Sequence, residues 1–451
     1  MDLNFKVEPD MKKFVYILIF SAAFNVIAEQ SQFESDSVFF QNRDEVIKRC
    51  VRIHRFFIGK YESPDALVKI EPVVIPWGDE LKGNNWHLGW PVAVLVNETI
   101  IVVYHRNPQH TPRFGVKKYK DQFHSTAIVT RSTDYGKTWT SSVDIRSFVK
   151  TPTEDCMLAF GNSIGTADDG TVVLVTAYGV FRSQDEGASW RHLPDSYTSR
   201  TLSGNKCNNG PVIVNHPEKG LVSFSHNKNR EIITIRTSRD TGENWHQHII
   251  KIPEWAAAIE PTGLYHDGSL FILARAHGKD SFQPETKTWR YIQLVSPEGW
   301  LPLMPAYTNI TTTDITDEIP IEGYGPWSQD TVSLDLNPVS HRIEAVCTNR
   351  CGGGEGKEQQ RMQMTLNLWS IDPREFKEGK SKWRFEGTLI KHAGTMTTGA
   401  DGMHPGASVI DTKNNVQRIY VYLGEHLGPA GIFSVTRSLD TAALREWLKE
   451  N

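Results

Sequence analysis

Short apolar runs, some alternating and some continuous, recur along the chain between clusters of Gly, Asn, Asp, Pro and charged residues. Runs of this kind, bounded by turn formers, predict strands joined into hairpins. Residues 67–75 form the first. Runs 91–96 and 100–105 flank Asn97-Glu98-Thr99, and 124–132 follows as a third strand. A second group starts at Asn162, turns at Asp168-Asp169-Gly170 and returns over 171–178. A third starts near Gly210, turns over 216–220, returns to His226 and leaves again at Arg230. A fourth starts near Glu260, turns at His266-Asp267-Gly268 and returns to Arg275. A fifth spans 327–350 with an outer portion over 362–385. A sixth begins at His404 and continues through 418–426 and 432–438. Residues 441–450 carry the spacing of a short amphipathic helix. The expected architecture is all-β, with six blades and room for a seventh in 301–325 or 380–403. Strand 67–75 is expected to complete the last blade, which would remove an exposed edge.

One turn recurs. Arg131-Ser132-Thr133-Asp134-Tyr135-Gly136-Lys137-Thr138-Trp139 returns as 182–190 and again as 237–245, with the shared pattern S-x-D-x-G-x-x-W. A period of roughly fifty residues marks an array of supersecondary units. The Asp is suited to bind turn amides, the Gly to take φ > 0 and the Trp to pack between neighbouring units.

Composition narrows the class. With 451 residues, a net charge of −4 and well-mixed acids and bases, a basic nucleic-acid-binding surface is excluded. Thirteen Trp and 34 Gly suit a turn-rich β protein. Lys12-Lys13, an apolar run over 14–24 and the small-residue site Val26-Ile27-Ala28 read as a secretory signal peptide over 1–28, with Met11 as an alternative start. No later stretch is apolar and long enough to span a membrane. The expected division is then an N-terminal arm over 29–62, a propeller over 63–440 and a helix over 441–451, in a secreted or periplasmic protein. The five cysteines, Cys50, Cys156, Cys207, Cys347 and Cys351, are an odd number, so pairing is not readable. No cofactor is called for, and a structural metal ion near Cys207, Cys347 or His404 stays open.

The repeated turn resembles the Asp-box of sialidase-type β-propellers. That resemblance implies a propeller whose Asp-boxes lie away from the catalytic face. The opposite face then collects the start of strand one, the end of strand two and the start of strand three. Trp90, His105, His124, Asn162, Tyr178, His226, Arg230, Glu260, Arg275, Arg350 and His404 fall on it. Such a mouth is the default site of a propeller.

Taken residue by residue, the sialidase pattern is kept in part. Glu260 and Arg275 match its Glu and second Arg, and Arg350 fits the third. Gly89 stands where the first Arg belongs, His124 where the acid/base Asp belongs, and His404 where the nucleophilic Tyr belongs. Carboxylate-holding arginines without the hydrolytic acid and nucleophile suit a different reaction. In β-elimination from a uronic acid, a cation neutralises the carboxylate, an imidazole takes the C5 proton and a phenol protonates the departing O4. The arrangement is similar in placement to the propeller ulvan lyases. It implies a histidine pair in the first blade with Tyr and Arg further round; His105 or His124 then fits the base, Tyr178 the acid, and Arg275 with Arg350 the carboxylate holders. Trp90, Asn162, His226, Arg230, Glu260 and His404 would line subsites for an acidic polysaccharide. Two other classes stand beside this one: a sialidase-like glycoside hydrolase using Glu260, and a carbohydrate-binding propeller without activity.

Overall fold

The computed structural model describes residues 60–74, 87–107, 126–149, 162–176, 179–194, 196, 207–227, 229–252, 256–278, 290–296, 309–313, 329–350, 361–379, 383–395, 406, 408–423 and 431–450. The expected signal peptide and nearly all of the expected arm lie outside them.

The chain enters through β1 (Val68–Val74). The first sheet follows as β2 (His87–Val96), β3 (Thr99–Asn107), β4 (Thr126–Ser132) and β5 (Val143–Asp144), paired in that order. Next come β6 (Ser163–Thr166), β7 (Val172–Thr176), β8 (Gly179–Ser183) and β9 (Arg191–Leu193). They are followed by β10 (Cys207–His216), β11 (Gly220–Asn227), β12 (Ile232–Ser238) and β13 (His246–Lys251). A sheet of β14 (Ala256–His266), β15 (Ser269–Gly278), β16 (Arg290–Ser296) and β17 (Asn309–Thr313) is third. The fourth holds β18 (Gln329–Leu336), β19 (Ile343–Arg350), β20 (Arg361–Ile371) and β21 (Arg384–Thr395), with the short helix α1 (Pro373–Lys377) between the last two. The last sheet has β22 (Ser408–Asp411), β23 (Val416–Leu423) and β24 (Gly431–Ser438), and helix α2 (Thr441–Glu450) ends the chain. The all-β expectation and the regular hairpin rhythm hold.

The blade count is corrected. Four sheets stand as separate four-stranded units. The two groups expected as the second and third blades form one eight-stranded sheet, ordered β13-β12-β11-β10-β6-β7-β8-β9. The bond between them is a parallel pairing of Val212 with Ile164. Its cause is local. A Cβ on Gly165 would sit 2.2 Å from the Ile213 carbonyl oxygen, so only glycine lets the two backbones come this close. The Ser163 hydroxyl also donates to the Gly210 carbonyl. The stretches reserved for a seventh blade instead supply outer strands, β17 and β21. The outer portion expected over 362–385 is two strands, because Asp372 caps α1 by accepting from the Arg374 amide and Pro373 starts the helix.

Sheet meets sheet through apolar layers. Tyr420, Tyr422 and Ile432 of the last sheet pack on Leu88, Val102 and Tyr104 of the first, which joins the end of the chain to its beginning. β1 pairs antiparallel with β24, Val68 opposite Arg437, and so becomes the outer strand of the last sheet.

The three S-x-D-x-G-x-x-W turns close in one way. In the second, Asp185 accepts from the Ser189 amide at 2.8 Å and the Ser189 hydroxyl at 2.6 Å. Ser183 accepts from the Gly187 amide at 2.7 Å, and Trp190 Nε1 donates to the Gly187 carbonyl at 3.2 Å. Glu186 and Gly187 are both left-handed, at φ 55° and 82°, which only a turn with glycine accommodates readily. Each turn also docks on the preceding group. Glu186 accepts from Asn97 and Thr99, Glu243 meets Arg182 at 2.7 Å, and Trp139 lies edge-on to Tyr420 at 6.0 Å.

A fourth, altered copy closes the chain. Arg437-Ser438-Leu439-Asp440 repeats the opening of Arg131-Ser132-Thr133-Asp134, but Ala442 stands where Gly136 does. Asp440 therefore caps a helix: its side chain accepts from the Ala443 amide at 3.0 Å and its carbonyl from Leu444 at 2.9 Å. Arg437 is fully buried on Glu344 and donates to Gln417 at 2.8 Å. Asn337 and Thr441 bind the other Glu344 oxygen at 3.0 and 2.7 Å.

Candidate functional site at the mouth

The first strand of several groups is interrupted at the same place. β2 bulges between Gly89 and Val92, and β14 between Ile259 and Thr262. The residue after the last paired position is followed by proline in both: Trp90-Pro91 and Glu260-Pro261. Proline cannot donate to the ladder, so pairing breaks there. Trp90 and Glu260 both adopt left-handed backbone, at φ 47° and 53°. A bulky residue before proline prefers extended backbone, so each of these conformations costs on the order of 1–3 kcal/mol and persists only because its surroundings hold it.

The residues opposite these bulges are equivalent as well. Gly89 pairs with His105, and Ile259 pairs with Arg275. Two matched pairs result, Trp90 with His105 and Glu260 with Arg275. The Trp90 ring stands edge-on to the His105 imidazole at 5.9 Å and tilted against Tyr422 at 5.8 Å. His105 is fully buried. In the second pair Arg275 Nη1 lies 3.5 Å from Glu260 Oε2, with 14% and 27% of the side chains exposed. Arg275 is thus mostly buried against the carboxylate, and only its small exposed part is within reach of a second, incoming carboxylate.

His226 joins the second pair from β11. The Glu260 amide donates to His226 Nδ1 at 3.1 Å. That acceptor role puts the imidazole proton on Nε2. Burial pushes the His226 pKa down to about 4, and Arg275 and Arg230 act in the same direction against the Glu260 carboxylate. At neutral pH the ring is uncharged and offers Nε2–H as a donor.

No protein-family model matches the chain, and comparison with curated proteins yields no relative. Solved structures do match. The NanB sialidase from Streptococcus pneumoniae, in complex with 2-[(3-chlorobenzyl)ammonio]ethanesulfonate, superposes with a TM-score of 0.52 at 10% identity, over 82% of this chain and 71% of that one. The phage phi92 endosialidase superposes with a TM-score of 0.54 at 10% identity, over 82% of this chain and 69% of that one. The fold is that of the sialidase propellers.

Within this sialidase-like propeller the expected site residues fall into three sets. His226, Arg230, Glu260 and Arg275 come together. Arg230 is exposed, with φ 64°, in the turn before β12; its carbonyl accepts from the Ala258 amide at 2.9 Å, which ties that turn to β14. Trp90 and His105 form the second set. Asn162 stands by itself at the start of β6, buried, with both amide atoms making no hydrogen bond among the described residues. His124, Tyr178 and His404 lie outside the described residues. Arg350 ends β19, its backbone paired with Met364, and its side chain is outside the description. Cys347 is buried within β19, and Cys50, Cys156 and Cys351 lie outside the described residues. Among the described residues no group of His, Cys, Asp and Glu is arranged to hold a metal ion, and no helix is long and apolar enough to cross a membrane.

Sequence reasoning placed His226 and Glu260 on one face but missed the bond between them. The signal was available in part: proline after a titratable residue inside an otherwise regular strand marks a bulge that re-aims that residue. Tyr422, which supports Trp90, carried no such signal.

Proposed function

We propose that the protein is a carbohydrate-active propeller that grips a carboxylated sugar at its mouth and cleaves a uronic-acid-containing polysaccharide by β-elimination. The observation carrying this reading is the mostly buried Arg275 held beside the partly exposed Glu260, in a mouth whose sequence supplies histidine where sialidases use an acid and a nucleophile. Arg275, with Arg350, neutralises the uronate and makes the C5 proton more acidic. His124 or His105 takes that proton, the C4–C5 double bond forms, the C4–O4 bond breaks, and Tyr178 protonates the departing oxygen. Trp90, Asn162, His226, Arg230, Glu260 and His404 line the subsites. The apolar segment within residues 1–28 supports export as a signal peptide, followed by an arm over 29–62 and the propeller over 63–440.

A second reading has its own support. Both structural neighbours described above are sialidases by name, so a glycoside hydrolase working through Glu260 is the competing chemistry. Products separate the two. Incubation with a panel of acidic polysaccharides, ulvan included, should raise the ultraviolet absorbance of the conjugated uronate, and His124→Ala should abolish the rise. Released sialic acid with a flat ultraviolet trace would replace elimination by hydrolysis. Binding with neither product would leave a carbohydrate-binding propeller.

A further inference from the structure

We propose that His226 is a positioning residue: its Nδ1 holds the Glu260 amide, locks Glu260 in its left-handed bulge and thereby sets the carboxylate that aligns Arg275 for an incoming carboxylate. This deepens, and rests on, the reading of the mouth as a site for carboxylated sugars. Glu260 is non-glycine, precedes proline and has φ 53°, three features that conflict unless something outside its own strand fixes them. A bond of 3.1 Å to His226 reaches its backbone amide from a neighbouring group. His226 is itself held. It sits on β11 between Asn208 of β10 and Ile233 of β12, and the Arg230 carbonyl ties the following turn to β14. A shift of His226 would therefore move the bulge, and with it the 3.5 Å contact between Glu260 and Arg275.

The same geometry makes the latch dependent on acid. A protonated imidazole carries a proton on Nδ1 and no longer accepts from the Glu260 amide. The charged groups facing His226 are Glu260, which favours protonation, and Arg275 and Arg230, which oppose it. Burial adds to the opposition and lowers the pKa to about 4. The latch is thus intact at neutral pH, survives as pH falls through 6.5, where a solvent-exposed histidine would be half protonated, and opens near pH 4.

The test compares two substitutions in the full-length protein. His226→Asn places an amide oxygen where Nδ1 was; His226→Leu removes the acceptor. Calorimetric titration with sodium glucuronate should show about a tenfold loss of affinity in the leucine variant and less than about a threefold loss in the asparagine variant. On a polysaccharide that is turned over, the leucine change should raise KM and also lower kcat, because Arg275 both holds the carboxylate and acidifies the C5 proton. The loss of affinity near pH 4 should disappear in the asparagine variant. Equal affinities for both variants and the parent would overturn the proposal. A parallel readout needs no ligand: nitrogen-15 NMR at neutral pH should show His226 as the Nε2–H tautomer, and a crystal structure of His226→Leu should show Glu260 out of the left-handed region. An Nδ1–H tautomer, or an unchanged Glu260 φ, would overturn the proposal even if glucuronate binds. A protein that binds no glucuronate but passes both readouts would retain the latch and refute the carboxylate site.

Discussion

Arg131-Ser132-Thr133-Asp134 and Arg437-Ser438-Leu439-Asp440 begin alike and end differently. In the first, Tyr135 and Gly136 take φ 58° and 83°, and Asp134 gathers the Lys137 and Thr138 amides at 3.1 and 2.9 Å into a closed turn. In the second no glycine follows, and Asp440 caps α2 instead. The arginines diverge in step. Arg131 is half-buried and reaches the Glu186 carbonyl at 3.4 Å, whereas Arg437 is fully buried on Glu344. A local turn seals the first sheet against its neighbour. A long-range ionic network with Glu344, Asn337, Gln417 and Thr441 seals the last two. One tetrapeptide thus serves two architectures, and the residue two places after the Asp decides which of them is open to the backbone.

This contrast is breakable, beginning with its strongest member. Arg437→Met leaves the Glu344 carboxylate buried without its cation, and should cost about 3–5 kcal/mol in urea unfolding. Replacing Glu344 by Leu in the same chain should recover most of that loss, since the pair is then removed as a unit. If the single substitution costs under about 1 kcal/mol, the network is not what joins the last two sheets. Next is Asp185→Ala, which strips the acceptor from the Ser189 amide and hydroxyl and from Ser183; it should lower stability by about 1–2 kcal/mol. In the native turn partial burial pushes the Asp185 carboxyl up, but those donors outweigh it and hold the pKa below the usual range. Its contribution is therefore present at neutral pH and lost as pH falls through the acid range. The smallest effect belongs to Arg131→Met, which mirrors Arg437→Met in a half-exposed setting and should change stability by less than about 0.5 kcal/mol. Equal effects of the two arginine substitutions would erase the distinction.

The mouth shows a similar division between what is local and what is not. Trp90-Pro91 and Glu260-Pro261 are visible as dipeptides, and the strand ends carrying His105, His226 and Arg275 follow from the repeat. Their pairing across strands does not, because it depends on a bulge that shifts register by one residue, and a shift of one exchanges the faces of a strand. The neutral, Nδ1-accepting state of His226 is further from view still, since it needs both the Glu260 amide from another strand and the burial supplied by neighbouring elements.

The sequence by itself determined an all-β chain of regular hairpins, the three S-x-D-x-G-x-x-W turns and the closing helix. Each of these is set by hydrogen bonds or side-chain periodicity within a few residues, so the information sits in the segment that uses it. Only the tertiary structure decided that β1 becomes the outer strand of the last sheet, that Gly165 lets two expected blades join into one eight-stranded sheet, that Arg437 meets Glu344, and that His226 holds Glu260. These contacts bring together residues far apart in the chain. Their energies come from burial, desolvation and close backbone approach, which exist only once the sheets have packed.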